Sequence, residues 1–151
     1  MYNLFPTYNH FNRPYNVNQR LINKAIPIAL KRILKNKTNI KNIFMFYLEY
    51  KYKIFNNNVF FDIECVKRQL NSAKISHNVK PWGHNYGGTI EISDWDKMKK
   101  EEIISLLIHE SIHNSIKIRR NTRSSKLKML SCEDEHNCLN LLGDNLNTFT
   151  S

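Results

Sequence analysis

The sequence predicts a single α+β domain, for three reasons. The chain has 151 residues, the length of one domain, and 41% of them are hydrophobic, which is enough for a core. Apolar residues recur at helical spacing over residues 17–37 and again over 97–118. Residues 59–63 instead have the composition of a strand, and residues 89–93 have the alternation of polar and apolar residues that is typical of one. Helices and strands therefore share one chain, without an internal repeat or a linker that divides it.

The N-terminal half is expected to hold an irregular arm, a long helix, a segment that is helix or strand, and a short helix. Residues 1–16 are rich in Asn, Tyr and Pro without periodicity, which predicts an irregular arm ahead of one domain at 17–151. We expect Pro27 to start or kink the first helix. Residues 42–52 are rich in aromatic residues and fit a helix or a strand, because a short apolar run does not decide between the two. Residues 65–72 fit a short helix.

A loop and a strand lead into the longest helix. Residues 78–88 hold Pro and Gly and are expected to form a loop before the strand at 89–93. Asp94 or Asp96 is the expected N-cap of a helix over 97–118. The apolar residues of this helix cover more than one stripe, so the helix should be central and largely buried.

The net charge and the cysteines limit the class of protein. The formal charge is +10, which favours polyanionic partners, nucleic acid first and an anionic membrane surface second. An Asn- and Lys-rich composition gives the same excess without such a partner. No apolar run approaches the roughly 20 residues of a membrane span, and no secretory signal is visible. An odd count of 3 cysteines without a C-x-x-C pair then predicts an intracellular protein, in cytoplasm or nucleus.

The pattern H-E-x-x-H at residues 109–113 is the main chemical signal. In a helix, positions i and i+4 lie on one face, so His109 and His113 can point at one ion. Two neutral imidazoles suit Zn²⁺, and the adjacent Glu110 can take a proton from a water at the ion. Two surface histidines are the alternative, which fits poorly with a helix that is apolar nearly all round.

A catalytic zinc site needs a third protein ligand, and the last helix is its expected source. Beyond a basic loop at 119–128, we expect a helix over 132–142 that ends near Gly143. Its start holds the one dense acidic run of a basic chain, which is followed by a histidine. Glu133 and His136 are the two leading candidates for the third ligand, and the remaining ones are Asp134, Glu135 and His84.

Two family resemblances support different third ligands. Glu133 follows His113 after 19 intervening residues, and this spacing resembles that of the gluzincin metallopeptidases. The gluzincin resemblance implies Glu133 as the ligand. It also implies that Asn137, one turn later, orients a ligand histidine from behind.

Residues 50–136 also resemble the SprT-like (Spartan-type) metalloproteases. The resemblance lies in Phe60-Phe61, in Gly87-Gly88-Thr89-Ile90-Glu91-Ile92-Ser93 and in the helix that carries H-E-x-x-H. It implies His136 as the third ligand and proteins bound to DNA as substrates. The chain departs from that pattern after His136, where Asn137 and Asn140 replace a glycine and an aromatic residue.

Both resemblances imply a zincin-like domain. In that fold a small mixed sheet has an edge strand beside the central H-E-x-x-H helix, and a C-terminal helix brings the last ligand. The strand at 89–93 would be that edge, with Ile90, Glu91 and Ile92 binding the backbone of the substrate. His84 or Tyr86 would then be placed to assist at the substrate carbonyl, although a plain loop role fits them better.

The sequence thus predicts a zinc-dependent metalloprotease with one Zn²⁺, acting on protein or peptide, with DNA as a further partner. Two alternatives stay open. One is a nucleic-acid-binding protein without catalytic activity on a zincin scaffold. The other is a narrow-specificity regulatory protease of gluzincin type. The substrate and the oligomeric state are not determined by the sequence.

Overall fold

A computed structural model describes residues 14–54, 58–79, 82–95, 97–119 and 127–148, which build a mixed α+β fold. The helices in these ranges are α1 (Gln19–Lys35), α2 (Lys37–Tyr52), α3 (Ile63–Asn71), α4 (Lys100–Ile112) and α5 (Cys132–Thr148). The strands are β1 (Tyr15–Asn16), β2 (Val59–Phe61), β3 (Lys74–Ser76), β4 (Gly83–Tyr86), β5 (Thr89–Ser93), β6 (Lys97–Met98), β7 (Ile116–Arg119) and β8 (Leu127–Met129). No helix in the described ranges has the length and apolar content needed to span a membrane.

The first helical region is divided into two helices at Asn36. The Asn36 side chain donates to the carbonyl of Arg32 at 2.8 Å, and its backbone N–H closes the last turn of α1. Pro27 lies inside α1, so the expectation that it starts the helix is wrong. The aromatic-rich segment is helical, because its buried residues Ile40, Phe44 and Leu48 recur every four positions along α2.

The strands form three small sheets within the described ranges. β1 pairs with β6, β2-β7-β8 is antiparallel, and β3-β5-β4 is mixed, with β3 parallel and β4 antiparallel to β5. The arm therefore ends in a strand, whereas residues 1–13 lie outside the described part. The small mixed sheet agrees with the expected class.

The prediction that β5 is an edge strand is wrong. β5 has hydrogen-bonded neighbours on both sides, and Ile90 and Ile92 are fully buried. Neither the backbone ladder nor these two side chains of β5 can therefore receive a substrate. Part of the expected loop at 78–88 forms β4 instead, which pairs only with β5 in the described structure.

A tight turn joins β4 to β5. Gly87 and Gly88 both have positive φ, 61° and 93°, which is the backbone conformation that a two-residue hairpin needs and that glycine adopts at low cost. The resulting hairpin places β4 on the side of β5 that faces away from β3.

The central helix α4 is shorter than the sequence predicts. It ends at Ile112, since the chain turns at Asn114, where φ is 66°, and continues as β7. Ile116 and Ile118 lie in the range that is predicted to be helical, but they are the buried, alternating positions of this strand. At the other end the N-cap is Lys99, whose backbone N–H donates to Glu102 Oε1 at 2.8 Å.

The remaining differences concern caps and termini. Asp94 is paired with His77 and does not cap α4, and Asp96 lies outside the described residues. Most of the expected basic loop, residues 120–126, is also outside them. α5 continues to Thr148, past the expected end at Gly143.

One apolar core joins these elements. α4 packs against α1 and α3, and α5 packs against α2 and α4. The largest fully buried side chains include Phe44, Leu48, Ile103, Ile104 and Leu107. As predicted, the helix with H-E-x-x-H lies at the centre of the fold, and its residues Ile103, Ile104, Leu107, Ile108 and Ile112 are all buried.

Candidate metal centre

Three histidines from two helices lie together at one end of α4. His109 belongs to the last turn of α4, His113 is its C-cap, and His136 lies in the second turn of α5. The ring centroids are 5.0 Å apart for His109 and His113, 4.7 Å for His113 and His136, and 5.7 Å for His109 and His136. One nitrogen from each ring lies within 4.8 Å of the other two. The i, i+4 pair thus meets a third imidazole, as a metal centre requires.

The carboxylate of Glu110 lies beside this group and is largely buried. Burial raises the pKa of Glu110, and the electrostatic influence of the neighbouring His113 and His84 opposes that rise. Glu110 and two of the histidines line a cavity of about 360 Å³. A carboxylate in this setting is suited to accept a proton from a water in the cavity.

His109 is held in the neutral form that a metal ligand needs. Burial, together with the smaller effects of the neighbouring His113 and His136, lowers its pKa to about 4. At neutral pH the His109 ring therefore carries a free lone pair on one nitrogen.

His113 is oriented from behind by Glu135. Glu135 Oε1 lies 2.8 Å from His113 Nδ1, and Glu135 Oε2 accepts from the backbone N–H of Asn114 at 2.7 Å. Both residues of the pair are buried. A carboxylate on Nδ1 favours a proton there, which leaves the lone pair of Nε2 available for a metal ion. Glu135 therefore has the role that the gluzincin resemblance gave to Asn137.

The turn after α4 is fixed by Gln69 of α3, which is buried. Its amide nitrogen donates to the carbonyls of Ser111 and His113 at 2.8 and 2.9 Å. Its amide oxygen accepts from Asn85 at 2.6 Å, and Asn85 also donates to the Glu110 carbonyl at 2.8 Å. These contacts join the C-terminal end of α4 to both α3 and β4.

Close packing of β4 against β5 and α4 depends on Gly83. A Cβ at this position would lie 2.7 Å from the Glu91 carbonyl oxygen and 3.1 Å from the side chain of Leu106. β4 thereby reaches the cavity, where Gly83, His84 and Asn85 form one wall. The His84 ring is held by Glu91 Oε1 at 2.7 Å.

The structure thus brings only some of the predicted site residues together. His109, His113 and His136 come together, with Glu110 beside them. Glu133 is exposed on the first turn of α5 and does not belong to this group. Asn137 is also exposed and donates to Tyr47 Oη at 3.0 Å, so it does not contact a ligand histidine.

The remaining residues, predicted or not, lie outside the histidine group or act on it through other residues. Ile90 and Ile92 are buried in the sheet, and Glu91 binds His84. The roles of Gln69 and Asn85 and the orienting role of Glu135 are not among the sequence predictions. The signal for the placement of Asn85 was present in Gly87-Gly88, a dipeptide typical of a hairpin turn.

The donor set fits zinc. Three imidazoles with one open position are a common catalytic zinc set, with Zn–N distances of about 2.0–2.1 Å. Nitrogens at that distance from one ion in a tetrahedron are about 3.4 Å apart. Since the three nitrogens already lie within 4.8 Å of one another, small side-chain rotations suffice to bring them together.

Comparisons with protein-family models, with curated proteins and with solved structures find no match to this chain. Any function proposed for this chain therefore depends on the geometry of the site.

Proposed function

We propose that this chain is a zinc-dependent peptidase whose ion is held by His109, His113 and His136. The observation that carries the proposal is the convergence of these three rings beside the buried carboxylate of Glu110. They lie at a cavity whose wall includes β4, a strand with one hydrogen-bonded neighbour in the described ranges. A zinc ion at this position supplies Lewis-acid chemistry and makes water acidic near neutral pH. The choice of His136 over Glu133 follows from their positions on α5.

Glu110 is the proton-transfer group in this proposal. Its carboxylate takes the proton of the attacking water and passes it to the nitrogen of the leaving amine. The raised pKa of Glu110 brings that carboxyl closer to the operating pH, which favours transfer in both directions. His113 stays correctly oriented through Glu135 during these steps.

The substrate lies along β4 in this proposal and not along β5. β4 forms a wall of the cavity, and in the described structure it has one hydrogen-bonded neighbour. An extended peptide can add to such a free edge through backbone hydrogen bonds. The role first given to Ile90, Glu91 and Ile92 therefore passes to residues 83–86.

DNA is the further partner that the SprT-like resemblance implies. Two features support it. The net charge is +10, and a groove beside α2 is lined by Lys37, Lys41 and the exposed ring of Phe60. Lysines next to an exposed aromatic ring are suited to the phosphates and bases of a single strand. DNA-bound protein is therefore the proposed substrate class.

The central test is Glu110→Gln. We expect the variant to retain one equivalent of zinc and to lose roughly 10²–10⁴-fold in the rate of casein cleavage, because only the proton-transfer group is removed. Zinc content is measured after dialysis and cleavage by peptide release. Single-stranded DNA should increase cleavage at low salt and lose this effect as salt rises.

Glu49→Gln is the matched control, since Glu49 is exposed on α2 and the chemical change is the same. The control should cleave at the wild-type rate. Equal rates for Glu110→Gln and wild type would overturn the catalytic assignment. A wild-type protein that retains zinc and cleaves nothing, with or without DNA, would instead favour the non-enzymatic alternative.

A further inference from the structure

A buried carboxylate on α5 lies outside the group of ligands and their immediate partners. Asp134 is only 3% exposed at its side chain and carries its charge among three donors of α2. Its Oδ1 accepts from Tyr47 Oη at 2.7 Å and from Lys51 Nζ at 2.8 Å, and its Oδ2 accepts from Tyr52 Oη at 2.6 Å. We call these four residues the Asp134 cluster. Such a satisfied network is costly to leave incomplete, so it fixes the contact between the two helices.

The position of Asp134 along α5 links this contact to the metal centre. Asp134 precedes the orienting residue Glu135 by one position and the ligand His136 by two. Since each helical residue turns by about 100°, Asp134 and His136 point to nearly opposite sides of α5. The first turns of α5 therefore lie between α2, which binds Asp134, and α4, which carries the other two histidines.

Apolar packing alone holds this part of α5 weakly. Of the residues in its first two and a half turns whose burial is described, only Cys138 and Leu139 are buried and apolar. Residues 132, 133, 136 and 137 are exposed, and Asp134 and Glu135 are buried through polar contacts. Among the described residues, Asp134 thus accepts three of the four side-chain hydrogen bonds between α2 and the start of α5.

We infer that the Asp134 cluster is a positioning device for the metal centre, holding α5 so that His136 reaches His109 and His113. This inference rests on the proposed function in taking the three histidines as zinc ligands. Asp134 does not line the cavity, and its side-chain hydrogen bonds go to α2, so it would act through His136 and Glu135. A cluster that served stability alone would leave the zinc affinity of the folded protein unchanged.

The test compares zinc affinity in two variants that each remove one charge from an interhelical ion pair. Asp134→Asn keeps the shape of the side chain and weakens the contact with α2. Glu101→Gln does the same to the contact between α4 and α1, where Arg32 binds Glu101 at 2.8 and 3.0 Å. We expect Asp134→Asn to weaken zinc binding roughly 10- to 100-fold, the usual range for outer residues of a metal site, and Glu101→Gln to leave it unchanged.

Zinc affinity is measured by competition with a chromophoric chelator, at a temperature where circular dichroism shows each variant folded. Cobalt substitution gives a second readout, because loss of one histidine from a four-coordinate site weakens the visible absorption of Co²⁺. Tyr52→Phe removes one donor from the cluster and should lower the affinity by a smaller factor. It keeps the inference testable if Asp134→Asn does not fold.

A double-mutant cycle with His136→Ala separates positioning from general stability. If Asp134 acts by placing His136, Asp134→Asn should weaken zinc binding much less when His136 is already absent. Equal losses in both backgrounds, or a lowered melting temperature with unchanged zinc affinity, would overturn the inference and leave the proposed function standing. A wild-type chain that binds no zinc would overturn the proposed function and this inference together.

Discussion

The two helices that carry the three histidines are held in place by different physical means. α4 is surrounded by aliphatic side chains, and five of its 13 residues are buried Ile or Leu. The start of α5 is held by buried carboxylates, with Asp134 bound to α2 and Glu135 bound to His113 and Asn114. Apolar packing fixes α4, which carries two of the proposed ligands, and polar contacts fix the start of α5, which carries the third. The two halves of the site should therefore respond differently to substitution.

The largest expected effect is on metal binding itself. His109→Ala removes a ligand from the rigid helix and should abolish retention of one equivalent of zinc. His136→Ala should also abolish tight binding, whereas Glu133→Ala should bind as wild type does, because Glu133 is exposed and outside the histidine group. Isothermal titration with Zn²⁺ measures all three. Loss of zinc in Glu133→Ala with retention in His136→Ala would restore the gluzincin-type assignment.

The same contrast explains which parts of the site the sequence predicts. The geometry of His109, Glu110 and His113 follows from the helical repeat alone, so the motif predicts it whatever the fold around it. The third ligand depends on how α5 approaches α4, and that approach is set by contacts such as Asp134 with Tyr47 and Tyr52. These residues are more than 80 positions apart in the chain, and no local pattern joins them.

The fold shows a similar division. The α+β class, the burial of α4 and the strand at 89–93 follow from periodicity. The central position of β5 does not, because it depends on pairing with β3 and β4, which periodicity does not reveal. The sequence also does not predict the end of α4, since Ile116 continues the helical spacing of Ile108 and Ile112 although it lies in β7. The local strand alternation of residues 116–119 was the signal that competed with it.

A core substitution tests the apolar half of the comparison. Ile104→Ala removes a fully buried side chain of α4 and should lower the free energy of unfolding by about 2–5 kcal/mol. Ile104→Val, a smaller change at the same place, should cost about 0.5–1.5 kcal/mol. Urea denaturation measures both. Zinc affinity of the folded protein should stay near the wild-type value, since Ile104 lies more than a turn before His109.

If Ile104→Ala weakened zinc binding as strongly as Asp134→Asn does, the proposed distinction between the two helices would be wrong. If Ile104→Ala lowered the free energy of unfolding by much less than about 2 kcal/mol, the apolar face of α4 would not hold the helix as its burial indicates.

The smallest expected effect comes from a polar contact remote from α5. Asp62 caps α3 by accepting from the backbone N–H of Cys65 at 3.0 Å, and it accepts from Lys117 Nζ of β7 at 2.7 Å. The hydrogen bond from Lys117 lowers the pKa of Asp62 below its ordinary value of 3.8, against the effect of burial. Because the folded-state pKa is the lower one, the stabilisation is fully present above the unfolded-state pKa. It is lost as the pH falls through the lowered value.

Asp62→Asn keeps an N-cap acceptor and removes the charge, so at pH 7 it should cost about 0.5–1 kcal/mol of unfolding free energy. The difference from wild type should shrink as the pH falls below about 4. Asp62→Ala also removes the cap and should cost about 1 kcal/mol more. Urea denaturation at several pH values measures the three proteins, and a constant difference between wild type and Asp62→Asn would contradict the role of Lys117. Neither variant should change zinc affinity, because a polar contact matters to the metal centre only where it positions a ligand helix.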